Sequence, residues 1–479
     1  MPQSPASQPE TPRLPVMIPL VVAMAFLMEQ LDSTIINTAV PDIARNLHVT
    51  PLQMSLAVAA YVLAVAIFIP VSGWFADRFG ARRVFVAALV IFTLGSVLCG
   101  VAQNFTMLVV MRVVQGLGGA MMTPVGRLIL LRSFPRSELM TAMTWMTLPA
   151  VTGPVMGPLL GGLLTTYLSW RWIFYVNLPF GLIGIVLALR FINIPPEARP
   201  GKFDIAGFLM VGGGLGLLQF GLENVSRPVV SPIMMAAALV AAIALLIGFG
   251  LYARRREAAA VDLTLFHGRA FRVGSLAGGL CRVGINGVPF LLPLMLQVGF
   301  GLSPIGSGSI TFIGSAGAIV IRSQLAKVVR RHGFRIVLVT SAVAGSVALL
   351  GFALMEPSTP HAILLLWVFF FGLTRSAQFM TSNTLSYSEM PNSHLSRATS
   401  LGGAMQQLSV SFGVSLSAVL LALVSAHGHG LTPARFHEVF LLTAVVPLLA
   451  IPGFMTLPAA TGTRPANPAQ TVAELETTD

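Results

Sequence analysis

Between residues 16 and 457 the sequence is a succession of apolar runs, each about twenty residues long, parted by short polar stretches. A helix of that length just covers the hydrocarbon thickness of a bilayer, where the backbone must satisfy its own hydrogen bonds. Fourteen such runs can be marked: 16–38, 52–75, 84–102, 106–127, 140–166, 172–191, 204–222, 231–252, 273–297, 305–325, 336–355, 362–385, 399–423 and 437–457. The seventh is short and rich in glycine (Gly212, Gly213, Gly214, Gly216), and the ninth and tenth carry arginines, so their ends are the least defined. The first run is too long for a signal-peptide core and lacks a cleavage site of small residues, and it reads as a retained span. With 10% of residues charged, against about a quarter in soluble domains, too little polarity remains to build a water-facing surface. The expected class is an all-α polytopic membrane protein.

The net charge of +12 would suggest a nucleic-acid partner in a soluble chain, but basic residues of membrane proteins mark cytoplasmic loops. With the amino terminus placed in the cytoplasm, 21 of the 29 Lys and Arg residues fall on that side and 4 on the other. The remaining four, Arg112, Arg282, Arg322 and Arg375, lie inside runs. A miscounted helix would invert this bias downstream of the error, yet it persists to Arg335. The basic charge is therefore an orientation signal, and no nucleic acid is expected. The expected location is the inner (plasma) membrane, with both termini cytoplasmic. Cys99 and Cys281 are lone thiols at membrane depth and supply neither a disulfide framework nor a metal site.

The runs contain a few polar groups that are costly in a bilayer. Glu29 and Asp32 lie three residues apart in the first run and share a helix face. Carboxylates in a span are expensive and usually functional, and two neighbours tend to share one proton. Arg112 sits about two turns inside the fourth run, in Arg112-Val-Val-Gln115-Gly116-Leu-Gly118-Gly119. It cannot lose its proton and needs a carboxylate, carbonyls or water, and Asp32 is its natural partner. The fifth run contains LPAVTGPVMGPLLGGLL, residues 148–164. Gly153, Gly157 and Gly161 at four-residue spacing leave one helix face nearly bare, and Pro154 and Pro158 each free a carbonyl. Such a helix can lie close against a neighbour, either as fixed packing or as a sliding surface. After the second run comes Gly73-Trp-Phe-Ala-Asp77-Arg78-Phe-Gly80-Ala-Arg82-Arg83, a tight basic turn with one acid. A second basic loop, Lys327 to Arg335, sets Arg330 where Asp77 stands when Gly333 is laid on Gly80.

These segments together resemble the major facilitator superfamily. The Gly73–Arg83 segment resembles its motif A, a latch that breaks and re-forms as two halves rock. The resemblance implies latch residues Gly73, Asp77, Arg78, Gly80, Arg82 and Arg83, in the first half alone, since the second copy lacks the acid. LDSTIINTAVP, from Leu31, resembles motif D1 of the fourteen-span drug:proton antiporters, with Asp32 as its acid. Glu29 lies outside the matched part. The Arg112 string resembles motif B, whose arginine is linked to proton transfer. The glycine–proline run resembles motif C, the antiporter signature, through Gly153, Pro154, Gly157, Pro158, Gly161 and Gly162. Ser169-Trp170-Arg171-Trp172 and Asn177-Leu-Pro179-Phe-Gly181 follow in the order of the EmrB/QacA branch and its MdtD-type group. Beyond Gly181 only hydropathy and span count carry the resemblance.

The resemblance implies a major facilitator fold of fourteen transmembrane helices, two six-helix halves at 16–191 and 273–457 with two inserted central helices at 204–252. A cytoplasmic loop at 253–272, whose VDLTLF segment could lie along the membrane surface or equally be an ordinary connection, and disordered tails at 1–15 and 458–479 complete the expected organisation. It also implies a proton-coupled efflux antiporter exporting small molecules by alternating access, with Asp32, Glu29 and Arg112 coupling the proton. Arg282, Asn286 and Arg375 match no motif. They are candidate substrate contacts that would suit an organic anion; the two arginines could equally satisfy helix-end carbonyls or snorkel towards a loop. A symporter or a transport-inactive sensor are the remaining alternatives. There is no phosphate-binding loop, no GxSxG elbow and no clustered metal-ligand set in the sequence, and the spacing of His427, His429 and His437 matches no usual zinc motif. The chain is expected to be no enzyme and to need no metal or cofactor beyond the proton gradient. Its expected partners are a small-molecule substrate, protons and the lipid bilayer, with the chain acting as a monomer.

Overall fold

The computed structural model describes residues 17–134, 136–193, 203–226, 231–254, 256, 261–390, 395–425 and 431–458, with the backbone alone for 136–151, 223, 225, 226, 395 and 396. The two expected tails, apart from Pro458, and the whole 194–202 connection lie outside the described residues. No strand occurs among the described residues. The first six membrane helices are α1 (Met17–Asn46), α2 (Met54–Phe79), α3 (Ala81–Gly100), α4 (Phe105–Ser133), α5 (Arg136–Tyr167) and α6 (Trp172–Phe191). An inserted pair follows, α7 (Ile205–Ser226) and α8 (Pro232–Ala253). The second set of six opens with α9 (Arg269–Gly299). One long segment, Pro304–Phe352, is parted by Gly333 into α10 (304–332) and α11 (334–352). α12 (His361–Ser388), α13 (Leu395–Ser425) and α14 (Pro433–Met455) complete fourteen helices, the number that the resemblance implies.

Local chemistry starts these helices where they start. Asn104, Ser231 and Ser303 cap α4, α8 and α10 by accepting from the amides of Met107, Met234 and Gly306. Pro232, Pro304 and Pro433 sit in first turns, where a missing N–H is not needed. The helices outrun the apolar runs. α1 continues through Pro41 to Asn46, and α10 continues past its apolar part through Lys327 to His332. The expected basic loops thus shrink to single residues. Gly80 (φ 90°, ψ 133°) and Gly333 (φ 79°, ψ 163°) make the same break in equivalent places, a conformation open to glycine and costly for other residues.

α1 packs on α5, α2 on α4, and α3 on α4 and α6; in the second set α10 and α11 pack on α12, and α9 on α13 and α14. Each half's fifth helix also packs on the other half's second, α5 on α10 and α13 on α2. One buried apolar cluster runs through both halves, joining Ile35, Val58 and Phe174 to Ile285, Leu296 and Phe440. A second, built on Val21, Val62, Phe85, Phe92 and Leu130, draws its buried members from the first six helices alone. The inserted pair is peripheral. In α8 only Ala242 and Phe249 are buried, while Gln219 of α7 donates to Ser415 and accepts from Ser411 (3.3 Å) on α13.

The 253–272 connection carries a 3-10 turn at Leu263–His267. Leu265 is buried with Phe271, Ala398 and Leu401, so this turn sits on the bundle end rather than along the membrane. Asp262 ties it to α13 through Arg397 at 3.3 Å. Burial pushes the Asp262 carboxyl up, but the Thr264 hydroxyl and amide and Arg397 outweigh it and hold the group below the ordinary range.

Candidate functional site

Asp32 and Arg112 are each 1% exposed and meet across α1 and α4, Nη1 to Oδ2 at 2.5 Å. The pair is embedded in further polar groups. Gln115, one turn after Arg112, donates to Asp32 Oδ1 (2.7 Å) and accepts from Arg112 Nη1 (2.8 Å). Asn177 on α6 donates to Asp32 Oδ1 (3.3 Å) and to Ser96 of α3 (3.0 Å), whose hydroxyl donates to the Phe174 carbonyl (2.8 Å). Arg112 Nε donates to the Ala57 carbonyl of α2 (3.3 Å), and its guanidinium lies 4.2 Å from the Tyr61 ring centre. Five of the first six helices therefore meet at one carboxylate–guanidinium pair. Taking two charges out of water is costly, and this network of donors and acceptors offsets that cost.

Glu29 takes a different partner. It is buried and accepts from the Thr123 hydroxyl of α4. No hydrogen bond joins the two carboxylates among the described residues: Asp32 is taken up by Arg112, Gln115 and Asn177, and Glu29 by Thr123. The two acids expected to share a proton thus meet different side chains of α4, Arg112 and Gln115 for Asp32 and Thr123 for Glu29.

The bare face of α5 lies on α1. A Cβ on Gly153 would stand 2.6 Å from Gln30 Cβ, one on Gly157 2.0 Å from Thr34 Oγ1, and one on Gly161 2.4 Å from the Ile35 carbonyl oxygen. Around the helix, Gly162 meets α10, where its Cβ would stand 2.6 Å from the Pro304 carbonyl oxygen; a Cβ on Gly308 would stand 2.3 Å from that of Pro158. Pro158 has no N–H to give the carbonyl of Pro154, and Ser315 of α10 donates to that oxygen instead (2.9 Å). Two further bonds cross between the halves nearby, the Ile305 amide to Thr166 (3.2 Å) and Gln297 to the Thr38 carbonyl (2.9 Å).

In the turn after α2, Asp77 pairs with Arg132 at the end of α4 (3.0 Å), and Arg82 donates to the Leu189 carbonyl of α6. Arg78 and Arg83 are exposed, and nothing lies within 4 Å of a Cβ on Gly73.

In the second half, Arg282 is buried on α9 and donates to the carbonyls of Gly278 (3.1 Å) and Gly274 (3.4 Å). Its Nη1 and the Asn286 Nδ2 are buried without a hydrogen-bond partner. Phe379 of α12 lies against its guanidinium, 5.5 Å to the ring centre. Arg375 is half-buried one turn before Gln378 on the same face of α12, and Gln378 reaches the Gly278 carbonyl (3.5 Å). Neither arginine forms an ion pair among the described residues.

The sequence matches the Major Facilitator Superfamily over residues 22–408 and again over 274–477. The chain belongs to that superfamily. Within it, it is similar to the putative multidrug resistance protein MdtD of Pectobacterium carotovorum subsp. carotovorum, 38% identical over 92% of this chain and 95% of that protein. It is 37% identical to the protein of the same name from Klebsiella pneumoniae subsp. pneumoniae, over 91% of this chain and 93% of that one. Among solved structures it resembles an auto-inhibited POT family peptide transporter (TM-score 0.70, 16% identical, 95% of this chain and 99% of that one). It also resembles the xylose transporter XylE from E. coli in an inward-open conformation (TM-score 0.64, 15% identical, 96% and 99%). At those identities the structures speak to the fold. The chain is a superfamily transporter with two six-helix halves and an inserted pair.

Two members of the polar site in this superfamily chain escaped the sequence reading as site residues. Gln115 and Asn177 were visible only as parts of motifs, although a neutral amide inside a span is itself a signal. Ser96, Thr123 and Ser315 gave none, because a hydroxyl in a span can bond back to its own helix.

Proposed function

We propose that the protein is a proton-coupled efflux antiporter that exports small molecules, of the multidrug type named for its relatives, by alternating access. It would work as a monomer in the inner membrane, with the basic face and both termini in the cytoplasm. The observation that carries this reading is the fully buried Asp32–Arg112 pair, in which one carboxylate holds α1, α4 and α6 together. A proton arriving on Asp32 removes its charge and so weakens the attraction that holds Arg112 against α1. The consequence reaches the other half through α1 itself. Within two turns of Asp32, the Thr34–Thr38 stretch is the surface on which the glycine face of α5 rests, and α5 in turn abuts α10. Proton binding on one side of α1 and the contact between the halves on the other thus share one helix. Asp77–Arg132 would be the latch at the basic end of the first half.

The test is transport in proteoliposomes under an imposed proton gradient. Asp32→Asn is expected to abolish proton-driven efflux while the protein still inserts and binds substrate. Efflux at the normal rate in that variant would refute the coupling role.

A second reading concerns the cargo. The buried Nη1 of Arg282, free of any hydrogen bond, and the unpaired Arg375 favour an organic anion held by the second half. Under that reading Arg282→Gln selectively raises KM for an anionic cargo by tenfold or more, roughly the worth of one charge-assisted bond. Unchanged anion transport in the variant removes the reading.

A further inference from the structure

At the basic end of the second half, a groove of about 550 Å³ runs between the first turns of α9 and the last turns of α14. Arg269 and Arg272 stand at its mouth, one turn apart on one helix face. Leu276 and Leu280 of α9 and Leu449 of α14 continue it into the membrane-spanning part, and they are 48%, 40% and 59% exposed. The floor is narrow because the helices nearly touch: a Cβ on Gly453 would stand 2.7 Å from that of Ala277.

Among the described residues neither arginine has a carboxylate partner: Arg269 donates to the Thr456 carbonyl and Arg272 to that of Phe266 (3.4 Å), and no described carboxylate lines the groove. A guanidinium has five N–H donors, so each keeps most of its donors available while a backbone carbonyl holds it in place. The site therefore offers two fixed positive charges at a bundle end, followed along the membrane normal by an apolar channel open to the side. That is the order of chemistry in a phospholipid: a phosphate first, then an acyl chain. Between transmembrane helices, basic pockets of this kind suit anionic headgroups.

We propose that this groove binds an anionic phospholipid, with its phosphate on Arg269 and Arg272 and the first part of an acyl chain along Leu276, Leu280 and Leu449. A free phosphate would meet the same guanidiniums but leave the leucines uncovered. A zwitterionic lipid would cover the leucines but bring a cation to the arginines. The lipid would tie the first turns of α9 to the end of α14.

The test uses the full-length, delipidated protein in detergent and measures retained lipid by native mass spectrometry. Phosphatidylglycerol and phosphatidylcholine are supplied at equal concentration, with and without millimolar inorganic phosphate. The wild type is expected to retain phosphatidylglycerol in preference, and phosphate is expected not to displace it. Arg269→Gln with Arg272→Gln should cut that preference by roughly fivefold per arginine, about thirtyfold together. Leu276→Trp, which fills the channel and leaves both arginines in place, should lower retention of phosphatidylglycerol. Equal retention of the two lipids by the wild type would overturn the proposal, as would an undiminished preference in the arginine variant. Displacement by phosphate would also overturn it, by showing a site for small anions. If the arginine variant does not fold, the wild-type comparison and Leu276→Trp decide.

Discussion

Arg112 is held from four directions: by Asp32, by Gln115, by the Ala57 carbonyl and by the face of Tyr61. With a guanidinium that cannot deprotonate, removing either charge leaves the other buried and uncompensated. Arg112→Leu is therefore expected to cost about 3–5 kcal/mol of stability, and Asp32→Leu a similar amount. The double replacement Asp32→Leu with Arg112→Leu removes both charges and should recover most of that loss, while proton-driven transport stays absent. Thermal unfolding of the three variants in one detergent checks this. Additive losses in the double variant would mean that the pair does not act as a unit. The two charged partners were legible in the sequence because charge in a span is rare and demands a counter-charge. Glu29 was legible as an acid but not by its partner. Three residues of helical spacing place it near Asp32, yet which side chain of α4 each carboxylate meets depends on packing: Arg112 and Gln115 for Asp32, Thr123 for Glu29. For Arg282 the sequence left a substrate contact and helix carbonyls both open, and its guanidinium bonds to the carbonyls of Gly278 and Gly274 on its own helix.

At the scale of the element, the glycine positions of α5 are not equivalent. Gly157 faces Thr34, whose Oγ1 can rotate away but whose Cβ would stay 2.9 Å from a Cβ there. Gly161 faces both Thr38 Oγ1 and the Ile35 carbonyl oxygen, and the carbonyl belongs to the α1 backbone. Gly161→Ala should therefore impair transport more than Gly157→Ala. Thr34→Ala should partly restore the Gly157→Ala variant, whereas Thr38→Ala should leave the Gly161→Ala variant impaired, because the carbonyl clash remains. Initial efflux rates at matched membrane levels read this order, and equal defects at the two glycines would show that the α1–α5 contact is not what limits exchange. The periodic glycines announced a bare face from sequence alone. The neighbour that covers it was not announced, because the residues of α1 that receive α5 (Gln30, Thr34, Ile35, Thr38) form no pattern of their own. Nor was Ser315, which reaches the carbonyl that Pro158 leaves unbonded across the gap between the halves.

At the scale of the whole molecule, apolar run length was enough to mark fourteen spans, because bilayer thickness constrains every span independently. Span ends were less legible. The Lys327–His332 segment has no helix breaker, so α10 runs on until Gly333, although its charge reads as a loop. Relations between spans distant in sequence, such as α5 on α10 and α2 on α13, follow from the fold and not from any local signal. Both seams carry hydroxyl bonds: Ser411 donates to the Ala59 carbonyl between α13 and α2 (3.3 Å), and Ser315 to the Pro154 carbonyl between α10 and α5 (2.9 Å). α5 also meets α10 backbone to backbone at Gly162 and Gly308. Alternating access of the proposed kind requires the α5–α10 seam to part, so a covalent bond across it should arrest the cycle. Thr166 and Ile305 lie at its far end, amide to hydroxyl at 3.2 Å, close enough for a disulfide between replacements there. In a background with Cys99→Ser and Cys281→Ser, Thr166→Cys with Ile305→Cys should transport normally when reduced. Oxidised, it should lose net efflux while still binding substrate from the basic face, and a reductant should restore transport. Undiminished efflux by fully crosslinked protein would mean that the two halves need not separate at this seam, and substrate would then have to pass by a route that leaves α5 and α10 in contact.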